Sequence, residues 1–272
     1  MSDRALDPEA LRYVDHWEPV LSAPARRVLE RIEAEPATLL DLGAGTGSLT
    51  LAAVHRWSAT TVVALDASGA MLAVAQARAA QSGVDPARLT WTPADAARLP
   101  LDDGTVDAAA SSFVLQLVDD RPAVLAEVLR VLRPGGTFSF VTWLADDLRL
   151  PADEAYHAVL GDIDGDDEHE DESFRSPRSG DYVSLGQARE ELAAAGFEAV
   201  EVARDELHHA WTAESYLAFK VDYDDHERFD SLDDAARTRL RLALSERLSS
   251  LPLSDFVLRG PLVAAVGRRP TA

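Results

Sequence analysis

Short apolar runs and helical stripes alternate along the first half of this chain. Before residue 37, Leu11, Val14, Trp17, Val20, Leu21, Ala25, Val28, Leu29 and Ile32 recur with a period near 3.6. That spacing predicts helix, which Pro19 and Pro24 are expected to divide into two pieces. Apolar runs of strand length follow at Thr38 to Leu42, Thr60 to Leu65, Leu89 to Thr92, Val106 to Ser112 and Thr137 to Thr142. The segments between them read as helices. One starts at Ser48, one is capped by Ser68 and carries Met71, Leu72, Val74 and Ala75 as far as Gly83, and one is capped by Asp119 or Asp120 with Pro122 in its first turn. Strand and helix in this rhythm predict an α/β domain, a doubly wound parallel sheet with helices on both faces.

Beyond Leu144 the pattern loosens. Pro151 to Leu160 suits a short helix, and Ser184 caps another that ends at Gly196. Phe197 to Val202 reads as a sixth strand and Pro261 to Gly267 as a seventh. Residues 207–258 form an insertion with an aromatic segment (His208, His209, Trp211), a helix through Tyr216 and Phe219, and a longer helix from Ser231 to about Leu251. The organisation expected is therefore one domain over 1–272: N-terminal helices (1–36), a cofactor-binding core (37–143), lid and insertions around strand six (144–258) and the last strand (259–272). Asp162 to Glu172 is densely acidic, but its glycine and closing residue miss the calcium-loop register, so no metal is predicted and a solvated loop is favoured.

Charge narrows the partners. The chain carries 47 acidic and 26 basic residues, a net charge of −21. Such a surface argues against nucleic acid and anionic membranes, and favours an uncharged or cationic small molecule. There is no cysteine, which excludes disulfides and thiolate chemistry. No signal peptide and no run of membrane-spanning length is visible, so a cytoplasmic protein is expected, with a homodimer left open.

The chemistry centres on A-T-L-L-D-L-G-A-G-T-G-S, residues 37–48, a strand that runs into Gly43, Gly45 and Gly47 and then into a helix. A glycine-rich turn between strand and helix is a nucleotide-cofactor cradle. The dinucleotide spacing G-x-G-x-x-G fails at Ser48, although Asp66, 19 residues past Gly47, could hold a ribose of either NAD or S-adenosylmethionine (SAM). With A-L-D-A-S at 64–68, A-D-A-A-R-L-P at 94–100 and V-L-R-V-L-R-P-G-G at 128–136, the set resembles class I SAM-dependent methyltransferases, in the broad group that includes the quinone-biosynthesis type.

That resemblance implies a seven-stranded Rossmann-like sheet with its last strand antiparallel, a helical lid, and transfer of a methyl group from SAM to a small organic acceptor. Asp41, Gly43, Ala44 and Gly45 would take the amino-acid end of SAM. Asp66 would hold the ribose, Ala67 and Met71 would flank the adenine, and Asp95 with the Ala96 N–H would read its edge. Ser112 and Phe113 would stand where methyl donor and acceptor meet. On the acceptor side the candidates are Tyr13, Trp17, Gln116, Trp143, Trp211 and Tyr216, all but Gln116 aromatic and suited to a flat or apolar molecule. His209 and His16 are the candidate bases, with His157 and His208 behind them, should the acceptor need to lose a proton. A catalytically silent SAM-binding protein and an NAD-dependent dehydrogenase are the alternatives.

Overall fold

The computed structural model describes residues 6–164 and 174–271, so the acidic run lies, from residue 165 onward, outside the described residues. Its core is a seven-stranded sheet of β1 (Thr38–Leu42), β2 (Thr61–Asp66), β3 (Leu89–Pro93), β4 (Val106–Ser112), β5 (Leu132–Trp143), β6 (Glu198–Ala210) and β7 (Val257–Arg268), in the order β3-β2-β1-β4-β5-β7-β6. The first five strands are parallel, and β7 runs antiparallel to both β5 and β6. The strand order reverses between β1 and β4, and the crevice beyond their C-terminal ends is where an open α/β sheet binds ligands.

Strand alternation decides what faces each side. On β1, Leu40 and Leu42 join the core beneath α5 (Arg121–Val131) and α7 (Leu185–Ala195), while Leu39 faces α2 (Glu18–Glu30) and α3 (Ser48–Arg56). Asp41 shares Leu39's side of the strand and is therefore buried. Crossover helix α4 (Gly69–Gln81) starts at Ser68, whose hydroxyl accepts from the Met71 N–H at 3.2 Å. Helix α5 starts at Asp120 rather than Asp119, the Asp120 carboxylate accepting from the Ala123 N–H.

Three expectations need correction. The N-terminal helix is not cut at its prolines. It runs from α1 (Pro8–Arg12) through a π-helical turn (Tyr13–Trp17) into α2, with Pro19 in the first turn of α2, where no N–H partner is needed, and Pro24 buried inside it. The sixth strand continues to Ala210, so His208 and His209 belong to an edge strand paired with Arg259 and Leu258, and not to the insertion. Strand β5 begins at Leu132, and the Arg133-Pro134-Gly135-Gly136 segment is a bulge within it, tied down by Arg133 to Asp107.

The lid comprises α6 (Pro151–Asp164), α8 (Ala213–Phe219), a second π-helical turn (Lys220–Asp224), α9 (His226–Ser231) and α10 (Asp234–Ser249). Its interior is apolar except for one charged knot. Lys220, the only lysine of the chain, is 3% exposed and donates to Asp153 at 3.0 Å and Asp224 at 2.5 Å, and Asp153 also accepts from the Tyr216 hydroxyl at 2.5 Å. Burial alone would raise the Asp153 pKa; His157, Lys220 and Tyr216 together bring it down to about 2.

Candidate active site

Two cavities meet beyond the switch point. The first, about 540 Å³, lies over the ends of β1, β2 and β4. Gly43, Gly45, Asp66, Ala67, Met71, Asp95, Ala96, Ser112 and Phe113 all line it, and Asp41 and Ala44 line a narrow extension together with Glu18. The glycine loop is held internally. The Gly43 and Ala44 N–H groups both donate to the Leu65 carbonyl (2.7 and 2.8 Å), Gly45 N–H donates to Asp66 (2.8 Å), and Gly47 N–H donates to the Ala44 carbonyl (2.8 Å). Gly43 has φ +74°, and a Cβ there would lie 2.1 Å from a Val114 methyl. Only glycine lets the loop lie that close to the end of β4.

This geometry discriminates between cofactors. A pyrophosphate needs free N–H groups at the helix start and tolerates no ring of carboxylates. Here four loop N–H groups are already used, and the cavity wall carries Asp66, Asp95, Asp119 and Asp120 without a basic residue among the described residues. A cofactor that is cationic and lacks phosphate fits such a wall; a dinucleotide does not. Asp66 accepts one N–H on each oxygen, from Gly45 and Ser68, which orients its carboxylate and leaves lone pairs for a ribose diol.

Asp41 is 1% exposed and receives the Thr50 hydroxyl at 2.5 Å. Burial first, and the nearby Asp66 charge after the opposing Thr50 bond, raise its pKa from 3.8 to about 7. Over the same extension Glu18 is clamped by Arg78 (both contacts 2.7 Å) and by the Thr46 hydroxyl (2.6 Å), while Arg78 also reaches the Thr46 carbonyl. The clamp ties the N-terminal helix across the glycine loop.

The second cavity, about 350 Å³, is lined by Trp17, Trp143, Phe174, Phe219 and Tyr223, with Gln116, Arg175, Arg178 and Asp224. Both π-helical turns contribute: Trp17 and Tyr223 stack at 6.4 Å with planes 9° apart. Tyr13, Phe113 and Leu117 line both cavities and so form the wall they share. Phe113 has φ +57°, a left-handed conformation rare for an aromatic residue. Its N–H donates to Val141 and its carbonyl accepts from the Gln116 amide at 2.7 Å, which hold it there.

The structure therefore brings Tyr13, Trp17, Gln116 and Trp143 to the second cavity but not Trp211 or Tyr216. Trp211 is 7% exposed and packs on Phe219, and the buried Tyr216 spends its hydroxyl on Asp153. Neither histidine candidate lines either of these cavities. His209 lies edge-on against Trp211, its pKa lowered by burial and His208, and His16 stacks outside Tyr223. Gln116 works structurally, its second amide end accepting from Thr142 at 2.5 Å. Glu18, Arg78, Phe174, Arg175 and Arg178 carry no motif in the sequence; only the paired arginines of F-R-S-P-R, after an acidic run, are a local signal.

Fold and site define a class: a doubly wound domain with a carboxylate-lined crevice for SAM and an adjoining aromatic cavity. Residues 40–140 match the family described as the methyltransferase domain, and the chain belongs to that family. It is 33% identical over 195 residues to malonyl-[acyl-carrier protein] O-methyltransferase of Geobacter sulfurreducens, 66% of either chain. It is 42% identical over 99 residues to the UbiE C-methyltransferase of Desulfotalea psychrophila, 36% of this chain and 38% of that one. The chain thus aligns with about two thirds or less of these relatives' length. Among solved structures, phosphoethanolamine N-methyltransferase 2 of Haemonchus contortus, bound to S-adenosylhomocysteine, superposes with a TM-score of 0.56 at 18% identity, over 96% of this chain and 57% of that one. The [4+2]-cyclase SpnF gives 0.58 at 20% identity over 94% and 83%. Likenesses at this identity speak for the fold.

Proposed function

We propose that the protein transfers the methyl group of SAM to a small, flat acceptor held in the aromatic cavity. One observation carries the reading: the carboxylate-lined crevice and the aromatic cavity share a wall at Tyr13, Phe113 and Leu117. When bound, SAM would supply an electrophilic methyl on a sulfonium with a neutral thioether as leaving group. Asp66 would accept the ribose hydroxyls, and Asp95 with the Ala96 N–H would face the adenine edge. Asp41 and Glu18 would face the amino-acid end. Phe113 and Tyr13 keep water from the junction, so alignment in a dry site supplies most of the acceleration. The faces of Trp17 and Tyr223 favour a flat acceptor.

The reading is tested by calorimetry with SAM and S-adenosylhomocysteine on wild type and Asp66→Ala. Micromolar binding, weakened about 100-fold in the variant by loss of two charged hydrogen bonds, is expected. Absence of binding to either compound at millimolar concentration would sink it.

A further inference from the structure

The wall of the acceptor cavity has a charge pattern that the whole chain does not. Arg175 is 9% exposed on its side chain, lies with Cζ 4.3 Å from the Trp143 ring centroid, and gives Nη2 to Asp181 at 2.7 Å. Its Nη1 is shut off from solvent and has no hydrogen-bond partner among the described residues. A guanidinium N–H desolvated without an acceptor is costly, and the cost is recovered when a ligand supplies one. Arg178, exposed, lines the same cavity three residues on, and its backbone N–H donates to Asp181 at 2.9 Å, which fixes the two arginines to one turn. Among the described residues lining this wall the one carboxylate, Asp224, is engaged by Lys220.

The turn is built to stay. A Cβ on Gly180 would lie 1.9 Å from the Gln116 carbonyl oxygen, so only glycine lets residues 174–182 dock against the segment after β4. Arg121 donates to the Gly180 carbonyl at 2.6 Å from above. Two arginines are therefore held beside a stack of rings.

We infer that the acceptor is a flat aromatic acid, its ring clasped by Trp17, Phe174, Phe219 and Tyr223 and its carboxylate held by Arg175 and Arg178. The inference rests on the proposed methyl transfer and adds the class of acceptor to it. Guanidinium groups match a planar carboxylate in geometry, and the anion would sit next to a crevice reserved for a cation.

The test uses the full-length protein saturated with S-adenosylhomocysteine, and reads tryptophan fluorescence against two matched pairs, benzoate with benzamide and 2-naphthoate with 2-naphthamide. The acids should bind at least about tenfold more tightly than the amides, and Arg178→Gln and Arg175→Gln should each erase most of that preference. Arg178→Gln, on an exposed side chain, keeps the test valid if Arg175→Gln fails to fold. Equal binding of acid and amide, no binding of either at millimolar concentration, or a preference that survives in Arg178→Gln and in folded Arg175→Gln, each overturns the inference. S-adenosylhomocysteine affinity, measured in the same proteins, separates the two readings: its loss in wild type refutes methyl transfer, whereas its retention with no acid preference refutes only the aromatic acid.

Discussion

The titration of Asp41 is the sharpest consequence of burying the cofactor loop. Its folded pKa of about 7 lies above the ordinary 3.8, because the carboxylate is buried on the inner side of β1 with one hydroxyl for company and Asp66 nearby. The native state then holds the proton more tightly than the unfolded chain does. The associated stability is present in full below pH 3.8, is lost as pH rises toward 7, and stays lost above it. At ~1.4 kcal/mol per pH step the whole loss is on the order of 4 kcal/mol, most of it between pH 5 and pH 8. Asp41→Asn keeps an acceptor for Thr50 but cannot ionise. Urea unfolding of both proteins at the two pH values should therefore show the variant gaining on wild type by roughly 2–3 kcal/mol as pH rises. The same variant should bind SAM more weakly at pH 8, since the carboxylate no longer meets a cation. A stability difference that does not change with pH would refute the assignment of a protonated Asp41.

Breaking the lid's charged knot with Lys220→Met leaves Asp153 buried without its cation, so a loss of about 3–5 kcal/mol in urea unfolding is expected; a loss under about 1 kcal/mol would mean that Tyr216 and His157 suffice. Arg78→Ala frees Glu18 and unclamps the N-terminal helix, which should weaken S-adenosylhomocysteine about tenfold and speed amide exchange over 8–30, as read by calorimetry and hydrogen exchange. Gly180→Ala forces the 174–182 turn off the Gln116 carbonyl; acceptor binding should fall by an order of magnitude or more while cofactor affinity holds, and a parallel loss of both would count against two separable cavities. Acidification should destabilise the lid as pH falls from about 4 through 2, because Asp153 is depressed to about 2 and its contribution is present only while it is ionised.

The cofactor half was legible because each of its signals is local. Gly43 reports a backbone position, Asp66 ends a strand, Ser68 caps the next helix, and each motif carries its meaning within about ten residues. The last strand's direction came from the family resemblance and agrees with the antiparallel pairing of β5 with β7. The acceptor half joins four distant stretches: Tyr13 and Trp17, Gln116 and Leu117, Arg175 and Arg178, and Phe219 to Asp224. No window of sequence contains more than one of them. His209 and Trp211 misled for the converse reason. A histidine–aromatic cluster looks like a site, but the strand of residues 198–210 carries His209 to the sheet edge and turns Trp211 into lid packing. The π-helical turns were equally hidden, since Tyr13–Trp17 keeps an apolar spacing that an α-helix would share.

A net charge of −21 describes the average surface and misdescribes the acceptor cavity. The cofactor crevice concentrates the acidic excess, with Asp66, Asp95, Asp119 and Asp120 around one space and no base among the described residues. Across the shared wall of Tyr13, Phe113 and Leu117 the lining changes to two arginines, Arg175 paired with the buried Asp181 and Arg178 exposed, and one carboxylate already engaged by a lysine. Fields between neighbouring, poorly solvated cavities are strong compared with those on a wetted surface. A donor that binds as a cation and leaves its crevice less positive after transfer is thus matched, across one layer of side chains, with a space that favours an anion. The pairing lowers the cost of bringing donor and acceptor together, and it weakens once the sulfonium charge is gone. Product release would then be aided by the same electrostatics that favoured assembly, so raising ionic strength should weaken acceptor binding to the SAM-loaded protein more than to the S-adenosylhomocysteine-loaded one. Equal salt dependence in the two states, measured by titration of 2-naphthoate, would show that the two cavities do not communicate through charge.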